Sequence, residues 1–223
     1  MLDYTAGVPI AELAPQISRI VDAFEAWNNV DQNYQREAAI KSPDYGPYEY
    51  NAAPDFSILF DYENTVQLLS VAILLRDRRS IMRIIHILRR HRGQDGLFEQ
   101  LIGGYVEDEM ALPSCILGAP YDTLLQVFYE EDEQKKLGLL HTYLKLWYPA
   151  MKDHPRWYDE HLNINKEGYA AYYGYWAFEA AAVVYLLDLN GSQINHLVYP
   201  KDLADYARKL REEDRYTNQK AET

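Results

Sequence analysis

The run Tyr172–Leu189, YYGYWAFEAAAVVYLLDL, places one carboxylate, Glu179, among residues that are otherwise almost wholly apolar or aromatic. An acid in such surroundings either keeps its proton, as a general acid would, or finds a donor elsewhere in the chain. Its helical neighbours at three and four residues are Trp176, Ala182, Tyr175 and Val183, and none is a cation. The donor would then be an arginine of the Arg76–Arg92 stretch, a tyrosine hydroxyl, or the free N–H groups of a helix start. Ala180, Ala181 and Ala182 would let another helix approach closely, so a polar pin in a core is favoured over catalysis.

The remaining candidates for chemistry are weaker. Glu107 and Glu109, with Asp108 between them, lack a matching base or a glycine-bounded catalytic frame, and a solvated or partner-binding acidic surface is favoured. The run Glu130, Glu131, Asp132 and Glu133 carries the same two readings. His86 and His91 are five apart and do not share a helical face as paired ligands would. His154 and His161 lie near Asp153, Asp159 and Glu160, where surface histidines are favoured over a metal site. Cys115, the single cysteine, excludes an internal disulfide and a cysteine zinc cluster, and reads as a small buried residue. No phosphate-binding G-x-x-x-x-G-K-[ST] loop, H-E-x-x-H or G-x-S-x-G motif occurs. No catalytic residue, metal or cofactor is expected.

Composition narrows the partners. The 223 residues are 48% hydrophobic and 25% charged, which excludes disorder throughout. A net charge of −12 disfavours nucleic acid and anionic membranes, and suits a basic partner. Seven of the 22 basic residues fall in Arg76–Arg92 against one acid, Asp77, leaving that window at +6 and the rest at −18. Those arginines are expected to pair with acids on neighbouring helices or to lie exposed. The 20 tyrosines suit core boundaries and interfaces, where an apolar ring carries a polar tip. The segment MLDYTAGVPIAEL lacks a signal-peptide pattern, and the runs Val71–Leu75 and Ala180–Leu187 are too short to cross a bilayer. A soluble cytoplasmic protein without membrane contact is the expectation.

The elements that would position these groups are helices. Ile17, Ile20, Val21, Phe24 and Trp27 recur at helical spacing after Pro15. SPDYGPYEYNAAPD, within 42–55, is irregular. Ser57–Leu75 reads as a buried central helix. Arg76–Arg92 is amphipathic, with Ile81, Ile84, Ile85 and Leu88 on one face, and Arg76, Arg79, Arg83 and Arg90 with His86 opposite. Leu97, Phe98 and Leu101 mark a short helix stopped by Gly103–Gly104, and Asp122–Tyr129 another. Leu137, Leu140, Leu144 and Trp147 form the inner face of a helix that Pro149 should end. Gly168–Leu189 and Lys201–Glu213 complete the set, with the tail TNQKAET frayed. No alternating β pattern appears. The fold class is all-α, a compact array of roughly seven to nine mostly antiparallel helices. It divides into an N-terminal part, 1–110, and a C-terminal domain, 111–223.

The stretch Tyr172–Ala207 resembles the signature segment of the PoNi-type immunity proteins, inhibitors of PoNe-type DNase toxins that bacterial secretion systems deliver in interbacterial competition. The matching positions are Gly174, Tyr175, Trp176, Phe178, Glu179, Ala180–Ala182, Tyr199, Pro200, Asp202 and Leu203. The resemblance extends back to about Ala119. It implies an all-helical inhibitor without catalysis of its own, binding a cognate toxin's nuclease domain and laying acidic surface where DNA would lie. The charge reading assigns toxin contact to Glu107, Asp108, Glu109, Glu130, Glu131, Asp132 and Glu133, with Tyr105 and Tyr129 as aromatic anchors. The alternative is a helical adaptor for another basic protein. A helical enzyme would instead need a deep pocket around Glu179 or His154.

Overall fold

The computed structural model describes residues 1–41, 54–153, 157–170 and 172–221, so most of the irregular 42–55 stretch, and His154, lie outside the described residues. The described residues form α-helices and short 3-10 turns, with no strand among them. Two single turns, α1 (Leu2–Thr5) and α2 (Ile10–Leu13), precede the long α3 (Ile17–Lys41). Then come α4 (Leu59–Leu74), α5 (Arg78–Ile87), α6 (Gly96–Ile102), α7 (Tyr121–Tyr129), α8 (Glu133–Ala150), α9 (Phe178–Leu186) and α10 (Lys201–Ala221).

The central helix read at Ser57–Leu75 is α4, buried along Tyr62, Val66, Leu69, Ala72, Ile73 and Leu74. It packs chiefly on α9, whose Ala180, Ala181 and Ala182 are all fully buried. Alanines at the contact bring two backbones together, so a long apolar helix and a short one share the middle of the molecule. The helices α7 and α8 form a hairpin against them through Leu124, Leu140, Tyr143, Leu144 and Trp147. One cluster of buried side chains extends from Ile17 to Ala207. No helix among the described residues is long and apolar enough to cross a membrane.

Several boundaries differ from the sequence reading. The helix expected at Gly168–Leu189 begins only at Phe178, because the preceding backbone is committed to tertiary bonds. The Tyr173 carbonyl accepts from Thr5 Oγ1 at 2.5 Å, the Trp176 carbonyl from Gln67 Nε2 at 3.1 Å, and Ala177 N–H donates to the Val198 carbonyl at 2.8 Å. The last helix, expected to end near Glu213, continues to Ala221. Arg211 lies over the Tyr185 ring at 3.8 Å and pairs with Asp188, which also holds Arg215, so side-chain contacts hold the helix to α9 beyond its apolar face. Pro149 sits inside α8, one residue before its end. On α3, Ile17 and Val21 are buried, but Ile20 and Trp27 are exposed.

The basic window also divides. Arg76 takes φ +57° ahead of α5 and reaches α10, donating to the Leu210 carbonyl at 2.9 Å and pairing with Asp214. Arg83 bridges to Asp22 and Glu25 of α3. Arg90 turns back to the Pro54 carbonyl. Ile81, Ile84, Ile85 and Leu88 are buried as their spacing required. Arg76 and Arg83 thus pair with acids on other helices, as Arg92 does with Glu99 of α6.

Gly174 joins the N-terminal turn to the signature segment. Its φ is +95°, and a Cβ there would run into Thr5 Oγ1 and the Trp176 indole, which are themselves hydrogen-bonded at 2.9 Å. Gly174→Ala is expected to cost about 2–4 kcal/mol from the left-handed backbone and the clash together. Thermal denaturation of the variant checks this, and an unchanged melting temperature would contradict the packing described.

Candidate functional site

Glu179 occupies the first turn of α9 and is 1% exposed. Its donor is the Tyr143 hydroxyl of α8, at 2.5 Å from Oε1, rather than an arginine of the basic window. Glu179 Oε2 makes no hydrogen bond, and the Trp147 indole, near enough to favour the carboxylate, closes none of normal geometry. Burial pushes the Glu179 carboxyl up from an ordinary 4.5 to about 7, against the Tyr143 bond and with the charge of Glu63 adding to the rise. Further along the same interior, the Tyr121 ring lies 6.2 Å from Tyr143 and 4.7 Å from Tyr62. The Tyr62 hydroxyl donates to Asp95 at 3.1 Å.

Asp95 was not singled out by sequence, and it organises the next region. It is fully buried, caps α6 by accepting from Phe98 N–H, and accepts from Ile116 N–H with its other oxygen, both at 2.8 Å. Gly96 lets the loop close in: its N–H donates to the Ser114 carbonyl at 2.9 Å, and a Cβ would press on the Leu112 and Ser114 carbonyls. The signal available in sequence was Asp–Gly directly before Leu97 and Phe98, a helix-start pattern. Cys115 in this loop is buried, which pushes its thiol up and away from reactivity.

The loop fixed by Asp95 and Gly96 carries the first acidic run. Glu107, Asp108 and Glu109 are all exposed, but their roles differ. Arg92 binds the Asp108 carbonyl at 2.8 Å and its carboxylate at 3.2 Å, while its Nε holds the buried Glu99 at 3.0 Å. Asp108 is thus the loop's anchor, and Glu107 and Glu109 project beside it. In the second run, Asp132 caps α8 through Lys135 N–H at 2.8 Å. Glu130 Oε1 accepts from the N–H groups of Glu131 and Asp132, which hold its carboxyl below the usual range. Glu131 and Glu133 are exposed.

Tyr129 links the two runs. Its hydroxyl donates to the Leu112 carbonyl at 2.9 Å and receives Gln100 Nε2 at 3.3 Å, while the residue stays 46% exposed. Leu112 follows Glu109 closely and Glu130 follows Tyr129, so the runs leave either side of one hydrogen bond. Tyr105 is placed differently: half-buried, with Arg78 5.9 Å from its ring. In the signature, Phe178 and Tyr199 are buried, Pro200 precedes α10, and Asp202 lies exposed in its first turn. Tyr175 packs on Trp157 and meets His161 Nδ1 through its hydroxyl at 2.7 Å. Among the described residues no group of three or more His, Cys, Asp or Glu converges as metal ligands would. A cavity of about 220 Å³ lies between the N-terminal turns and α4, lined by Tyr4, Ile17, Leu68, Val71 and Phe178 but not by Glu179.

The fold and these groups define an all-helical protein with a sealed carboxylate inside and open acidic runs outside. The family model of PoNe immunity proteins (PoNi), C-terminal, matches residues 93–203, about half of the chain, and the chain belongs to that family. The family implies an immunity protein against PoNe nuclease toxins. The match starts at Gly93, earlier than the Ala119 from which the resemblance was read, and so takes in Asp95 and both acidic runs. No curated protein and no solved structure gives a match.

The raised Glu179 sets a pH dependence. Between about 4.5 and 7 the folded protein keeps a proton that the unfolded chain has released, so stability falls as pH rises through that window. The loss amounts to about 3 kcal/mol and is complete above it. Glu179→Gln, which can still accept from Tyr143, is expected to melt above the wild type at about pH 8 and no higher at about pH 4.5. Glu179→Ala should melt lower at both. Parallel pH profiles for wild type and Glu179→Gln would contradict a buried proton there.

Proposed function

We propose that this chain binds the nuclease domain of a cognate PoNe-type DNase toxin and blocks its DNA-binding cleft with the acidic runs at Glu107–Glu109 and Glu130–Glu133. The observation that carries the reading is the family match, which spans both runs. A nuclease cleft must be positive to hold phosphate, and a protein of net charge −12 approaches it with complementary potential. Tyr129, exposed and fixed between the runs, is the aromatic anchor nearest to both. On this reading the chain has no catalytic residue and needs no cofactor, metal, nucleic acid or membrane. Its place of action is the cytoplasm, where an incoming DNase would reach the genome.

The acids divide into those that hold the fold and those free to meet a partner. Asp108 and Asp132 anchor a loop and a helix, whereas Glu107, Glu109, Glu131 and Glu133 are exposed carboxylates suited to contact. Glu107→Lys with Glu109→Lys, and Glu131→Lys with Glu133→Lys, are expected to weaken toxin binding about tenfold or more in moderate salt. Melting temperatures should stay within about 3 °C, because exposed charges add little stability. Calorimetric titration against the purified nuclease domain measures the affinities. Wild-type affinity in both double variants would sink the acidic surface as the binding face.

A further inference from the structure

Between α7 and α8 runs an open groove beside the second acidic run, lined by Tyr129, Glu130, Lys135, Gly138 and Leu139 among others. Gly138, in the interior of α8 and exposed, is one of the residues that line it. Glycine inside a helix is destabilising relative to alanine, so its presence calls for a reason. Packing within the described residues supplies none: a Cβ at Gly138 meets nothing within 4 Å. Gly96 and Gly174, by contrast, are each pressed by neighbouring atoms. What the missing side chain does is leave the groove open. Thr142, one turn on, bonds back to the Gly138 carbonyl at 2.9 Å, which turns its hydroxyl towards its own helix.

The walls of the groove suit one kind of side chain. Tyr129 is fixed through its hydroxyl while the residue stays 46% exposed. Glu130 is held as a carboxylate by two backbone N–H groups on Oε1, with Glu131, Asp132 and Glu133 following it. An aromatic face beside a fixed carboxylate matches a guanidinium, which stacks and pairs at once. Lys135 is the cation that lines the same groove and would oppose an incoming one. A second copy of this chain is disfavoured as occupant, since each carries a net charge of −12.

Resting on the immunity reading above, we propose that this groove seats an arginine side chain from the DNA-binding face of the toxin, and that Gly138 is the position that keeps it open. The probe is a purified PoNe-type nuclease domain, titrated against wild type, Gly138→Ala, Gly138→Leu, Gly138→Gln and Lys135→Ala, with each variant's melting temperature measured alongside.

Filling the position should strengthen the helix and damage the seat. Gly138→Ala is expected to melt about 2–4 °C higher than wild type. Gly138→Leu and Gly138→Gln should melt no lower than wild type and bind at least about tenfold more weakly. Lys135→Ala should bind a few-fold more tightly, by removing a like charge. A variant that melts higher and binds worse separates the groove from any general loss of structure. Wild-type affinity in both Gly138→Leu and Gly138→Gln overturns the groove alone. No complex between the wild-type chain and the nuclease domain overturns the immunity reading, and the groove with it.

Discussion

Burying a carboxylate without a cation beside it constrains everything around Glu179. The acid must keep a proton or be given donors, and the fold does some of both. Tyr143 supplies a short hydrogen bond, and the surrounding apolar packing raises the acid's affinity for a proton. Four helices have to meet at that point with their aromatic residues in register: α9 brings the acid, α8 its donor, α7 Tyr121, and α4 Tyr62. The series ends at Asp95, which holds both the start of α6 and the loop beyond it. A buried polar network of this kind adds little net stability over an apolar core, but misplacing any member leaves a polar group without a partner. It therefore favours one arrangement of helices over near alternatives.

That arrangement fixes the outer surface. Asp95 and Gly96 set the path of the loop from Leu112 to Ile116, Arg92 ties down Asp108, and Tyr129 bonds to Leu112 from the end of α7. The exposed acids are thus carried on a loop and a helix start whose backbones are held from inside. Preorganised charge of this sort meets a basic partner without the entropic cost of ordering a mobile segment. The chemistry inside the protein and the charges outside it belong to one connected structure.

The helical class was legible in the sequence because apolar residues recur at helical spacing and no alternating strand pattern competes with them. The buried faces of α4, α5 and α8 followed from that spacing. The start of α9 did not: Tyr172–Ala177 is apolar and aromatic like the helix that follows it, but Gly174 takes a left-handed φ and the segment's backbone groups are used by Thr5, Gln67 and Val198. The length of α10 escaped for the opposite reason: its polar outer turns are held by Arg211 and Arg215 on Asp188, a contact between distant residues. Glu179 was legible as a buried acid seeking a donor, but choosing Tyr143 over an arginine required the three-dimensional packing. In the acidic runs, sequence marked the charges without separating Asp108 and Asp132, which serve the fold, from the glutamates beside them.

On the function proposed above, this chain neutralises a PoNe-type nuclease by direct binding. The most direct measurement is a DNA-cleavage assay with the purified nuclease domain and its divalent metal, titrated with the wild-type chain. The expected result is cleavage falling to zero at about one inhibitor per nuclease, as a tight one-to-one complex requires. Undiminished cleavage at a large excess of the chain, with no complex formed, would contradict the account.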